Sequence, residues 1–340
     1  MKRFDLPFAT PLALSPRFIN LHANETQKDS ENGSTASELT EGLLAKAAAI
    51  SPKFFYNTLG SRLFEAITAL DEYYPTRTEA GIFQAASAQI AGALAQNGLH
   101  RPCLIDLGAG NCAKAAALIP VIKPSQYVPV DISADFLEDA AGQLQNSFPE
   151  LDIVGVGMDF SSGLLLPNEV QAHDRVYFYP GSSLGNFHPA QALAFLRNMA
   201  DPSQGKAQGL LLGIDLVKNK YLLEAAYDDT LGVTASFNKN LLRNVNTLLA
   251  ADFDVRQWQH VALFNTAKSR IEMHLQARCD LMVTWPGHSR HFRTGERIHT
   301  ESSYKYTQES MTNLLRQAGF GQVHCWTDAQ HWFAVFWATV

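Results

Sequence analysis

Residues 103–114 read Cys103-Leu104-Ile105-Asp106-Leu107-Gly108-Ala109-Gly110-Asn111-Cys112-Ala113-Lys114, and the architecture of the chain can be read outward from them. Its first five residues are mostly apolar and short enough for a strand buried on both faces, and two glycines follow at once. Glycine lets a backbone turn tightly and approach a ligand closely, and a helix beginning behind Gly110 adds exposed N–H groups. Outward from this point the unit repeats. Apolar runs at Tyr127 to Val130, Asp152 to Val156, Val176 to Tyr179 and Gly209 to Leu216 alternate with helical patterns. Ser133 stands in an N-cap position before the stripe Phe136, Leu137, Ala140 and Leu144, and Pro189 opens a helix carrying Leu193, Leu196 and Met199. Such alternation predicts a parallel sheet with crossover helices.

Towards the C-terminus, Thr307 caps a helix with Met311, Leu314, Leu315 and Ala318 on one face, and Gly319 stops it. The runs Val323 to Trp326 and Phe333 to Thr339 lie too close together for a crossover and predict an antiparallel hairpin. The fold class expected is therefore α/β: a Rossmann-like, mostly parallel sheet ending in an antiparallel hairpin, the layout of class I S-adenosylmethionine-dependent methyltransferases. From about Asn219 to Thr300 this pattern breaks into two helices, the second with Phe237, Leu241, Val245, Leu248 and Leu249 on one stripe. Ile271 to Cys279 then alternates apolar and polar residues, as a half-exposed antiparallel strand does.

Upstream, Leu39, Leu43, Leu44 and Ala47 predict a helix from Glu38 that ends near Ser51-Pro52. Leu63, Phe64 and Ile67 predict another over Ser61 to Leu70, Asp71 to Arg77 reads as a loop, and a further helix spans about Thr78 to Gln96. This divides the chain into a cofactor-binding methyltransferase domain (81–216 and 305–340) and an inserted α+β substrate-binding subdomain (38–80 and 217–304). Residues 1–37 form an N-terminal segment in which about 23–37 has almost no large apolar side chain and is expected to be mobile. The apolar Phe18-Ile19 pair before it is expected to dock.

Over 340 residues, 46% are hydrophobic and 10% aromatic, ample for packed cores. Twenty-seven basic against 33 acidic residues give a formal charge of −6 without basic clusters, which disfavours nucleic acid as a partner. No apolar run approaches the roughly 20 residues that span a bilayer. With an N-terminus that lacks a secretory apolar core, the expectation is a cytoplasmic protein, a monomer acting on a small molecule. Cys103, Cys112, Cys279 and Cys325 are far apart without a C-x-x-C pair and read as reduced thiols, with no metal expected.

Three strand ends carry the groups of an adenosine site. Gly108, Ala109 and Gly110 form the glycine turn, which also satisfies the dinucleotide pattern G-x-G-x-x-A. Asp131 follows Gly110 by twenty-one residues, where a carboxylate accepts both ribose hydroxyls. Asp159 and Phe160 end the third strand, an acid and a ring suited to adenine. Asp106 beside the glycines disfavours a pyrophosphate and can receive the amino group of a methionine moiety. S-adenosylmethionine is thus favoured over NAD as the cofactor, with Lys114, Gly181 and Ser182 completing the candidate set.

Further blocks run through the chain: Pro52-Lys53-Phe54-Phe55-Tyr56-Asn57, Glu72-Tyr73-Tyr74-Pro75-Thr76-Arg77-Thr78-Glu79, Gly181-Ser182-Ser183-Leu184-Gly185-Asn186, Asp215-Leu216-Val217-Lys218, Ala226-Tyr227-Asp228-Asp229 and Thr300-Glu301-Ser302-Ser303-Tyr304-Lys305. From about residue 38 to 340 the sequence resembles the histidine Nα-methyltransferase family of ergothioneine biosynthesis. That resemblance implies methylation of free L-histidine, up to the trimethylated betaine hercynine. It implies Asn186 and Tyr227 at the substrate carboxylate with Tyr73 nearby, Glu301 and Ser303 at the imidazole assisted by Tyr56, and Met273 beside the ring; Tyr56, Asn186 and Tyr227 are the groups expected nearest the reaction. An acceptor and a donor at opposite imidazole nitrogens are what Glu and Ser supply. The glycine loop departs from the family's usual pattern in beginning with Asp106 and lacking serines around Gly110.

Rival readings stay open on the residues alone. A related histidine derivative or another small amino acid is an alternative substrate, the glycine turn alone fits an NAD-dependent oxidoreductase, and a silent binding module would bind cofactor without turnover. Gly181-Ser182-Ser183-Leu184-Gly185 matches the hydrolase elbow G-x-S-x-G, but an elbow launches a helix at its serine, whereas 185–189 reads as loop. His288 and His291 flank Ser289-Arg290 in an expected hairpin with no third ligand and read as surface histidines.

Overall fold

A computed structural model describes residues 14–21, 25–161, 163–201 and 207–340. One eight-stranded sheet forms the larger layer, with an N-terminal strand at one edge and a C-terminal hairpin at the other. Its parallel strands are β1 (Arg17–Asn20), β2 (Cys103–Leu107), β3 (Gln126–Asp131), β4 (Asp152–Gly157), β5 (Arg175–Tyr179) and β6 (Ala207–Asp215), joined by antiparallel β12 (Val323–Thr327) and β13 (Phe333–Thr339) in the order β1-β4-β3-β2-β5-β6-β13-β12. Alternation along β2 explains the layering: Cys103, Ile105 and Leu107 pack with α6 (Pro189–Ala200) and α9 (Gln308–Ala318), whereas Leu104 packs with α3 (Tyr74–Gln96), α4 (Ala113–Ile122) and α5 (Ala134–Ser147). Both faces are covered, so the parallel strands read as continuous apolar runs.

A second apolar cluster joins Leu39, Leu43 and Phe55 to Phe237, Leu241, Trp258, Ile271, Met273, Leu275 and Ile298. It is built from α1 (Glu25–Leu44), α2 (Thr58–Thr68), α7 (Lys220–Ala225), α8 (Val233–Leu249), the hairpin β9 (Leu281–Trp285) and β10 (His288–Phe292), and a sheet ordered β11 (Arg297–Tyr304), β8 (Arg270–Ala277), β7 (Trp258–Asn265). Among the described residues no helix is long and apolar enough to cross a membrane, and the four cysteines are free thiols.

Several boundaries differ from the sequence expectations. The helix expected at Glu38 begins at Glu25, inside the stretch expected to be mobile, because Leu39 and Leu43 anchor its C-terminal half in the core and the helix propagates back from them; residues 23 and 24 lie outside the described set. β1 adds an eighth strand. Phe18 sits over Gly155, where a Cβ would come within 2.6 Å of the ring, and Leu21 N–H donates to Gly157 O. The supposed loop 71–77 ends at Tyr73, since Pro75 fits a first helical turn and α3 starts at Tyr74. β8 is more covered than a half-exposed strand, because it is central in its sheet and Arg270 and His274 bond Glu272 on its polar face. Ser133 occupies the N-cap of α5, but its hydroxyl donates to Tyr56 O at 2.6 Å rather than capping. Thr307 and Gly319 do bound α9, through Ser310 N–H on the Thr307 hydroxyl and a positive φ of 108° at the glycine.

Candidate active site

Two cavities meet above the C-terminal ends of the parallel strands, the usual ligand crevice of such sheets. The larger, about 2010 Å³ of atom-free space including its mouth, is lined by Asp106, Gly108, Ala109, Gly110, Lys114, Asp131, Asp159, Phe160 and Gly181. Gly108 and Gly110 adopt φ of +73° and +53°, which favours residues without a Cβ. Gly110 N–H donates to Asp131 Oδ2 at 3.0 Å and Ser133 N–H to Oδ1 at 2.9 Å, leaving lone pairs of the carboxylate for a ligand. Burial raises the Asp131 carboxyl against the pull of these N–H groups.

Asp106 is 1% exposed. Tyr127 OH donates to its Oδ2 at 2.8 Å, whereas Oδ1 is buried without a partner among the described residues. Burial pushes this carboxyl up to about 7, with Tyr127 and Lys114 pulling downward. An orphaned acceptor on the wall of a glycine-lined cavity fits the ammonium of a methionine moiety, and Asp131 fits a ribose. Asp159 Oδ2 meets Lys53 Nζ at 3.4 Å, and the same ammonium pairs with Glu38 of α1 at 2.8 Å. Lys114 pairs with buried Glu79 at 2.7 Å, and Glu79 Oε1 accepts the Gly181 N–H at 2.8 Å. Ser182, expected at the cofactor, lines the smaller cavity, where its φ is 62° and its Oγ accepts the Asp215 N–H.

The smaller cavity, about 490 Å³ of atom-free space including its mouth, brings together all seven expected substrate residues: Tyr56, Tyr73, Asn186, Tyr227, Met273, Glu301 and Ser303. Tyr56, Phe64, Tyr73, Gly181, Ser183 and Asn186 line both cavities and form their shared wall. A bulge between His299 and Glu301 re-registers β11 against β8, and beyond it Glu301 and Ser303, two apart, present to one face. Gly185 lets β11 approach the 183–186 turn; a Cβ there would lie 2.8 Å from Tyr304 O. That turn is a single 3-10 turn rather than the loop expected, and the Ser183 hydroxyl donates to Pro180 O.

Neither the Glu301 carboxylate nor the Asn186 side-chain amide hydrogen-bonds a described residue. Burial pushes the Glu301 carboxyl up to about 7, opposed by the charge of Lys305. Burial also raises the phenols of Tyr56 and Tyr73 well above their ordinary range, so both stand neutral. Tyr227, expected at the carboxylate end, donates its hydroxyl proton to Ser303 Oγ at 2.9 Å.

Sequence reasoning missed the charges behind this wall. Lys305, wholly buried, pairs with Asp215 Oδ2 at 2.8 Å and donates to Ser303 Oγ at 2.9 Å and Tyr227 OH at 3.1 Å. Lys218 pairs with the other Asp215 oxygen, and Tyr74 OH donates to Asp215 at 2.8 Å. Burial lowers Lys218 to about 8. The available signal was period two: Lys305 continues the face of Glu301 and Ser303. Thr234, Ile67 and Phe237 were also missed as lining residues.

The sequence profile of a family described as histidine-specific, S-adenosylmethionine-dependent methyltransferases matches residues 35–340. The chain belongs to this family. Across 90% of its length it is 38% identical to a histidine N-alpha-methyltransferase of Mycolicibacterium smegmatis, covering 95% of that protein, and 36% identical to one of Mycobacterium tuberculosis with the same coverage. Eighty per cent of the chain is 29% identical to 31% of ergothioneine biosynthesis protein 1 of Neurospora crassa. The protein is thus an S-adenosylmethionine-dependent methyltransferase with a small-molecule substrate, and the oxidoreductase and hydrolase readings fall away. His288 and His291 are exposed on β10, as expected for surface histidines.

Proposed function

We propose that this enzyme methylates the Nα atom of free L-histidine, continuing to the trimethylated betaine of the ergothioneine pathway. The observation that carries this reading is the pairing of two unsatisfied groups, Glu301 and Asn186, in one cavity that shares a wall with the glycine-lined cavity. When bound, S-adenosylmethionine supplies an electrophilic methyl group. Asp106, Gly108, Gly110 and Asp131 are the residues that would hold it, with Asp159 and Phe160 toward the adenine.

The chain's own task is orientation. Asn186 offers its amide N–H to the substrate carboxylate, while Glu301 accepts the ring N–H and Ser303 faces the opposite ring nitrogen. These contacts leave the amine at the shared wall beside Tyr56 and Tyr73. Both phenols are neutral and cannot serve as bases near neutral pH, so they accept hydrogens of the amine and turn its lone pair toward the larger cavity, while solvent takes the proton. Holding the reactants in line and excluding water is the main source of rate. Among the described residues no charged side chain lines that wall, which leaves room for successive additions. We infer that it works as a monomer on a small metabolite of the cytoplasm.

Incubation with S-adenosylmethionine and a panel of amino acids, read by mass, tests the proposal. Histidine is expected to gain one, two and then three methyl groups. Preference for another amino acid, or accumulation of the monomethyl product alone, would contradict it.

A further inference from the structure

Lys305 does not itself touch the substrate in the proposed placement, yet its ammonium sits directly behind two substrate-facing hydroxyls. Its three N–H bonds are all assigned: Asp215 Oδ2, Ser303 Oγ and Tyr227 OH. A serine hydroxyl has one proton and two lone pairs. Ser303 Oγ accepts from Lys305 and from Tyr227, so both lone pairs are occupied and only its proton is left. With those acceptors filled, Ser303 can only donate into the cavity.

We propose that Lys305 is the positioning residue that makes Ser303 an obligatory donor, so that the site accepts the neutral imidazole in one tautomer, with its N–H on Glu301 and its bare nitrogen on Ser303. The inference rests on the proposed placement of the ring between Glu301 and Ser303. An imidazolium has no bare nitrogen to receive the Ser303 proton, and it would meet the Lys305 charge just behind. The charged groups facing the pair are Asp215 of β6, Lys218 beyond it and Glu301 of β11, with the phenols of Tyr56, Tyr73 and Tyr74 around them. Asp215 keeps Lys218 as partner when Lys305 is replaced, which spares the fold an unpaired buried carboxylate.

The test compares histidine with an alanine carrying a pyrrole ring, which keeps an N–H and lacks the bare nitrogen. In the wild type the analogue leaves the Ser303 proton buried and unpaired, and kcat/KM is expected to fall by roughly 10- to 100-fold. In Lys305→Met the freed Ser303 hydroxyl can turn back toward Tyr227, and the preference for histidine is expected to shrink to less than about fivefold. An equal loss for both substrates, with the preference intact, would show that Lys305 only supports the fold and would overturn the inference. Ser303→Ala separates the two layers of the argument: if it leaves the preference intact, the ring does not lie on Ser303 and the underlying placement fails; if it erases the preference while Lys305→Met does not, only the role of Lys305 fails.

A measurement on the unmodified enzyme needs no folded variant. Ring-15N-labelled histidine bound with S-adenosylhomocysteine at pH 6, where the free ring is largely protonated given a pKa of about 6.5, is expected to show one protonated and one bare nitrogen. Two protonated nitrogens in the complex would refute the proposal.

Discussion

Replacing Glu301 by Ala removes one side of the ring grip and leaves the other cavity untouched, since Glu301 lines only the smaller one. Glu301 is 7% exposed and its carboxylate has no hydrogen-bonding partner among the described residues, so its acceptor capacity is available to the substrate. A charge-assisted hydrogen bond of this kind contributes about 1.5–3 kcal/mol. At 1.36 kcal/mol per decade that is roughly a 10- to 150-fold loss in kcat/KM for histidine. The loss should be expressed mainly in KM, because the ring is remote from the reacting amine and is held alike before and during transfer. Steady-state kinetics with a histidine titration, paired with calorimetric titration of S-adenosylhomocysteine, reads both arms. The cofactor product is expected to bind within about threefold of the wild type, a change under about 0.7 kcal/mol. A histidine KM within threefold of the wild type, or an equal weakening of both ligands, would refute the placement of the ring at Glu301.

Glu301→Gln should also change stability with a definite sign. The folded carboxyl lies near 7 against an ordinary 4.5, so its ionisation opposes folding: stability is fully present below about pH 4.5 and lost as pH rises through 7. That displacement corresponds to about 3 kcal/mol at most, so the variant's gain in Tm over the wild type, measured without ligand, should be larger at pH 8.5 than at pH 5. Asp131→Asn keeps the shape but weakens the acceptors for two hydroxyls, and S-adenosylhomocysteine binding should weaken by roughly 10- to 100-fold with histidine KM little changed, as calorimetry and kinetics would show. Gly185→Ala drives a Cβ to within 2.8 Å of Tyr304 O; backbone must yield, lowering stability by about 1–3 kcal/mol and reducing histidine turnover through displaced Ser303. An unchanged thermal midpoint and unchanged kcat/KM would dismiss that contact.

The sheet was legible because each parallel strand is buried on both faces and therefore written as an apolar run closed by a turn. β1 was not: four residues at an edge, with Phe18 and Ile19 pointing to opposite faces, carry too little periodicity to separate from a polar segment. The early start of α1 depends on tertiary anchoring at Leu39 and Leu43, which local composition does not report. In the site, Asp106 and Asp131 follow from their places at strand ends. Glu301 and Ser303 were reached through resemblance, since alternation in a strand says which residues share a face but not what that face meets. Lys305, Asp215 and Lys218 were missed because charged residues are ordinarily solvated, and only the folded chain closes the distance between β6 and β11.

Histidine and the methyl donor are expected to occupy adjoining cavities, with the amine at their shared wall. A crystal structure of the complex with L-histidine and S-adenosylhomocysteine measures this directly. The imidazole should lie between Glu301 and Ser303, the carboxylate on Asn186, and the amine beside Tyr56 and Tyr73, facing the sulfur. An imidazole bound elsewhere, or an amine turned away from the glycine-lined cavity, would contradict it.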